Sequence, residues 1–159
     1  MNMGKVRVTF SAIVVSLLIA ACASPAEPSR EPSVLAVPNF AASVRVPDGW
    51  THQEGIGEES SHVTMRSADG CLRLSLLAFS SDFPAELLEP SGRVVGSTTF
   101  SLADGRAIPA EEIVHGYSRT FRSLVVRGVT QYDLQVTDTC GTSDGDKALR
   151  RLASAVTLN

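Results

Sequence analysis

His62-Val63-Thr64-Met65-Arg66, then Ala68-Asp69-Gly70, then Cys71-Leu72-Arg73-Leu74-Ser75-Leu76-Leu77-Ala78: this stretch decides the fold. In the second run Leu72, Leu74, Leu76 and Ala78 recur with period two, while Arg73 and Ser75 fall between them. Successive side chains of a strand point to opposite faces, so one face of this run is apolar and the other polar. Asp-Gly between two such runs supplies the positive φ that a tight hairpin turn needs. The stretch therefore reads as a half-buried β-hairpin.

The same pattern continues on both sides. Val94 to Leu102 turns at Asp104-Gly105 into Ala107 to Tyr117, and Arg119 to Val126 turns at Arg127-Gly128 into Thr130 to Thr137, with Tyr132, Leu134 and Val136 on one face. Pro109 inside the second of these runs has no N–H to give a neighbour, which predicts an edge strand or a bulge. Upstream, Ser43-Val44-Arg45-Val46 reads as a strand entering a Pro47-Asp48-Gly49-Trp50 turn, and the Gly- and Glu-rich span from Gln53 to Ser61 reads as a loop. A short helical turn is expected at Ala85-Glu86-Leu87-Leu88. Downstream, Ser143 is placed to cap a helix with Asp144 and Asp146 in its first turn, and Leu149, Leu152, Ala153 and Val156 recur at helical spacing. Lys147, Arg150 and Arg151 lie off that stripe. The expectation is an α+β domain over residues 39–159: an antiparallel sheet of β-hairpins with a C-terminal amphipathic helix packed on it.

The N-terminus has a different character. Lys5 and Arg7 precede an apolar run from Val8 to Ala21, too short to span a bilayer and suited to an export signal. Ile19-Ala20-Ala21-Cys22 resembles the lipobox of bacterial lipoproteins, which implies a signal peptide over 1–21 and a lipid-modified Cys22. Cleavage at Ala21-Cys22-Ala23 by an ordinary signal peptidase is the other reading of the same residues. With a lipid anchor, the protein is expected at the extracytoplasmic face of a cell membrane, where two or more acyl chains hold stably. Residues 22–38 contain Pro25, Pro28, Pro32 and Pro38 and read as an extended tether. Of the three cysteines, Cys22 is then used for lipid, and Cys71 and Cys140 are expected to pair in an oxidising compartment. The formal charge of −3 becomes more negative by two once Lys5 and Arg7 leave, a balance unsuited to nucleic acid.

The Val46-Pro47-Asp48-Gly49-Trp50 run, the hairpins, and the amphipathic segment ending in Ala155-Val156-Thr157-Leu158 together resemble the PsbP-like superfamily, including the LpqN-type lipoproteins of actinobacteria. The resemblance implies an antiparallel sheet between helices and a mainly non-enzymatic role in binding proteins or assisting assemblies. It brings no catalytic set.

The residues themselves offer little chemistry. There is no HExxH, P-loop or GxSxG pattern. An envelope enzyme of hydrolase type would require a site assembled from scattered residues such as His62, His115 and Glu112. Glu54, Glu58 and Glu59, with His52 and His62 nearby, form an acidic region with no known metal-loop spacing; a solvated surface is the expectation, and neither metal nor cofactor is assigned. Arg119, Arg122 and Arg127 are either a modest site for an anionic ligand or edge protection. Most aromatics are expected in the core; Trp50, at a turn, is a candidate partner contact if exposed. The expected function is a non-enzymatic binding or accessory module of the cell envelope, contacting an envelope protein or a small amphiphile.

Overall fold

A computed structural model describes residues 33–80, 82, 91–141 and 145–159, with only the backbone of residues 145 and 146. The expected signal peptide, Cys22, the tether up to residue 32, the helical turn at 85–88 and the Ser143 cap lie outside the described residues.

Seven strands make the main sheet. Three of them, β3 (Thr51–Ile56), β4 (Ser60–Arg66) and β5 (Leu72–Ser80), run as one antiparallel meander. Four more, β6 (Arg93–Ser101), β7 (Ala107–His115), β8 (Ser118–Arg127) and β9 (Thr130–Asp138), run as a second. The two meanders join where β5 pairs antiparallel with β9, giving the order β3-β4-β5-β9-β8-β7-β6. A smaller sheet, order β1-β2-β10, combines β1 (Val34–Ala36) and β2 (Ala42–Arg45) with the C-terminal β10 (Val156–Leu158). Among the described residues one helix, α1 (Gly145–Ala153), packs against β9, β6 and β5.

The period-two pattern explains the β5–β9 seam. Leu74, Leu76 and Ala78 stand opposite Val136, Leu134 and Tyr132, and all six are buried. Each of the leucines and Val136 contributes about 1.5–3 kcal/mol by leaving water, and Ala78 less. Phe100 and Phe121 extend this apolar face edge-to-face, 6.0 Å between ring centroids. Leu149, Leu152 and Ala153 of α1 and the inward residues Val44, Val156 and Leu158 of the small sheet close the same core. Two hydrogen bonds tie the small sheet to the β6–β7 turn: Ala103 N donates to Val156 O at 2.8 Å, and Arg106 Nη2 donates to Leu158 O.

The Asp-Gly turns form as expected. Asp69 Oδ1 accepts from Ser67 Oγ at 2.5 Å and from Cys71 N at 3.0 Å, while Gly70 takes a φ of 75° that only glycine adopts without penalty. Asp104 Oδ1 accepts from Arg106 N at 3.0 Å in the equivalent place. Cys71 and Cys140 form a disulfide, with Cα atoms 5.3 Å apart, directly beyond the Leu72–Asp138 pair that ends the β5–β9 seam.

Several expectations are corrected. Residues 53–61 are mostly strand: β3 pairs with β4 through backbone alone, and all but Gly55 are exposed, so no apolar alternation advertises it. The tether expected over 22–38 ends earlier, because Val34-Leu35-Ala36 pairs with β2 and Leu35 packs on the core. The domain thus includes residues before 39. Val156 belongs to β10, not to the helix, which stops at Ala153. The α+β description holds broadly, but strands dominate and the helix among the described residues is short. Finally, β7 and β8 are interior strands, so neither Pro109 nor the arginines of β8 mark an edge.

Two outcomes follow from this architecture. Replacing both cysteines (Cys71→Ala with Cys140→Ala) frees a loop of 69 residues' separation and is expected to lower unfolding free energy by about 2–4 kcal/mol in urea titration. The Ser67 hydroxyl, then the Cys71 amide, hold the Asp69 carboxyl below its usual 3.8. A depressed carboxyl stabilises the fold above its unfolded value and loses that contribution as pH falls through the lower folded value. The Cys71 amide resonance should therefore titrate with a midpoint below 3.8.

Candidate functional site

The face of the main sheet opposite α1 carries no helix among the described residues and is here termed the outer face. It carries polar residues together with apolar ones, among them Phe79 and Ile113, which are buried. Gln53, Thr64, Ser75, Gln135, Arg122, Glu111 and Ser97 stand in register, one on each strand, as an unbroken polar row.

At its centre is an ion pair. Arg122 Nε donates to Asp133 Oδ1 at 2.9 Å and Arg122 Nη2 to Asp133 Oδ2 at 2.8 Å. Gln135 Nε2 also donates to Asp133 Oδ2, at 3.0 Å. The two charged side chains are only 9% and 2% exposed, so the bidentate geometry offsets a real desolvation cost. A neighbouring row holds Thr120 and Thr137, whose hydroxyls are 3.0 Å apart, and Arg73, opposite Thr137. Arg73 Nε is buried without a hydrogen-bond partner among the described residues.

Two concavities flank Arg122. One, about 460 Å³, is lined by Ser97, Pro109, Ala110, Glu111, Arg122 and Leu124. Pro109 explains why it opens. The β7–β8 ladder stops at the Glu111–Arg122 pair. The Pro109 carbonyl faces β8 and accepts from Ser123 Oγ at 2.5 Å, so the ring nitrogen, which has no proton, faces β8 as well. The ladder cannot continue there, and the strands part. The second cavity, about 120 Å³, is lined by Arg73, Ser91, Ile113, Thr120, Arg122 and Gln135. Beside the larger groove Leu124, Val126 and Val94 remain exposed on the outer face.

The residues singled out in the sequence are mostly kept apart. His62 and His115 lie on the outer face but on β4 and β7, four strand spacings apart and out of register, so more than about 19 Å separates them. Glu112 points to the other face, where it pairs with Arg119 Nε at 2.6 Å. These three groups do not converge. The His62 ring covers Gly55, leaving no space there for a Cβ. Among the described residues no three His, Cys, Asp or Glu side chains are grouped to hold a metal. Arg119, Arg122 and Arg127 do not act together: Arg122 faces outward, whereas Arg119 and Arg127 share the opposite face and Arg119 lies 5.4 Å from the Phe121 ring centroid. Trp50 is half-buried and packs against the core rather than standing free; among the described residues the aromatic left in solvent is Tyr117, 93% exposed in the β7–β8 turn. Asp133 and Gln135 escaped notice in the sequence, and Arg73 reads there only as part of the polar face of its strand, although each sits at the polar phase of an alternating strand.

The fold has a solved counterpart. The solution structure of cyanobacterial PsbP (CyanoP) from Synechocystis sp. PCC 6803 superposes over 80% of this chain and 92% of its own, with a TM-score of 0.54 at 13% identity. The fold is PsbP-like. A crystal structure from Bacteroides thetaiotaomicron VPI-5482 is also similar, with a TM-score of 0.45 and 15% identity, covering 80% of this chain and 48% of that one. No protein-family model matches the chain, and no curated protein matches it. Within the PsbP-like sheet, Arg122 and Asp133 are expected to behave as a unit. Asp133→Ala leaves a buried guanidinium and should cost about 3–5 kcal/mol, while Arg122→Met with Asp133→Leu should cost much less, a difference that a double-mutant cycle in urea measures directly.

Proposed function

We propose that this protein is a lipid-anchored, non-enzymatic binding module at the extracytoplasmic face of a cell membrane, and that the outer face of its main sheet is the surface it presents. The observation that carries the reading is the groove at Pro109. It combines apolar walls, Leu124 and Pro109, with a fixed charged pair beside it, and its volume of about 460 Å³ falls in the range of small-molecule and peptide sites. Exposed Leu124 and Val126 extend it as a small apolar strip. The resemblance of the N-terminus to a lipobox, and of the domain to LpqN-type lipoproteins, supports placement in the envelope. The occupant is an envelope protein or a small amphiphile; no nucleic acid and no cofactor enters the reading. The dispersal of His62, His115 and Glu112 speaks against a hydrolase built on them.

Two measurements test it. Cys22→Ala should move the protein from the membrane to the soluble fraction on cell fractionation, and retention at the membrane would end the anchoring claim. Pull-down from detergent-solubilised membranes should recover a partner or lipid with the native chain. Leu124→Asp with Val126→Asp should reduce that recovery about tenfold, the scale of losing a central apolar contact, while the melting temperature stays close to native. Equal recovery by the folded variant would remove the outer face from the function.

A further inference from the structure

We infer that the outer face binds an amphiphile with a carboxylate head, the head seated in the small cavity at Arg73 and the chain lying along the groove at Pro109. This deepens the binding reading above and rests on it. The two concavities share one residue, Arg122, which lines both. Their linings differ in chemistry. The small cavity is lined mainly by polar residues, Arg73, Arg122, Thr120, Gln135 and Ser91, with Ile113; the larger groove adds Leu124, Pro109 and Ala110 beside Ser97 and Glu111. An amphiphile is the class of molecule with that division.

Charge selects the head group. Asp133 takes both forks of Arg122 and neutralises it. Arg73 then supplies the cavity with a positive charge, and its Nε is a buried donor with no hydrogen-bond partner among the described residues. Buried donors are ordinarily paired, so this one points to an acceptor supplied by a ligand. A carboxylate fits: it is anionic and planar and matches a guanidinium through two oxygens. The cavity, about 120 Å³, has room for a carboxylate but not for a large glycosylated head. Glu111, on the groove side of Arg122, repels an anion there and so directs the head to the Arg73 side. The chain then meets Leu124 and Pro109, and beyond them exposed Val126.

Calorimetric titration of the purified chain with dodecanoate, dodecanol and acetate tests the assignment. Dodecanoate should bind, dodecanol should bind at least about tenfold more weakly, the scale of one charge-assisted hydrogen bond, and acetate should give no heat. Arg73→Met should bring dodecanoate down to the level of dodecanol without changing dodecanol binding; Arg73→Lys, which keeps the charge, should retain most of the preference and guards against a misfolded variant. Leu124→Asp should weaken both long-chain probes. Equal affinity of the native chain for dodecanoate and dodecanol overturns the inference, as does undiminished dodecanoate binding by folded Arg73→Met. If dodecanoate fails to bind while the Leu124 and Val126 substitutions still abolish partner recovery, the carboxylate assignment is wrong and the docking face stands; if both fail, the face itself is wrong.

Discussion

Everything in this domain depends on the pairing of β5 with β9. Each meander is made of neighbours in sequence and closes through short turns, so its loop-closure cost is small. The β5–β9 ladder alone in the main sheet brings distant segments together, through nine residue pairs from Leu72–Asp138 to Ser80–Thr130. Its inward side is the apolar block of Leu74, Leu76, Ala78, Tyr132, Leu134 and Val136, and its end is stapled by Cys71–Cys140. The staple sits where it opposes the largest entropy in the sheet. α1 and the small sheet then cover the inward side, and without the seam they would have no continuous surface to cover.

The same seam builds the candidate site on its other side. Because side chains alternate, a register that buries Leu134 and Val136 must also turn Asp133 and Gln135 outward. Pairing of β9 with β8 then sets Arg122 opposite Gln135 and beside Asp133, where the bidentate bond forms. A slip of one residue would place this charged pair in the apolar core. Core and site are therefore one choice of register, seen from two faces. Pro109 adds a local exception: one missing N–H ends a ladder inside the sheet and opens a groove where an unbroken sheet would be flat.

The legible parts of the fold are those in which a residue's environment is set by its near neighbours. Leu72 to Ala78 announced a half-buried strand, and Asp69-Gly70 and Asp104-Gly105 announced turns, because period two and positive φ are local properties. The strand β3 was hidden because its residues face solvent and its pairing is purely backbone. β10 was hidden because Val156 fits a helical stripe as well as it fits a strand, and only its partner Val44 decides between them. The significance of Pro109 was half legible: its missing donor was evident, but not that it lay inside a sheet. Of the site, Arg122 was noticed for its charge. Asp133 and Gln135 went unremarked, and Trp50 was a candidate contact only if exposed, since burial belongs to the assembled face.

By itself the sequence determined a β-rich domain with local hairpins, the likeness of its first residues to a lipoprotein signal, and two cysteines available to each other. These rest on periodicity, turn chemistry and composition, which need no knowledge of distant contacts. Only the tertiary structure decided the strand order, the joining of the two meanders, the two faces of the sheet and the meeting of Arg73, Arg122, Asp133 and Gln135 beside a groove. Those outcomes depend on pairing between segments more than 50 residues apart in the chain, as Arg73 and Thr137 are. No local preference encodes such a pairing; it is selected by the burial it permits on one face, and the site on the other face comes with it.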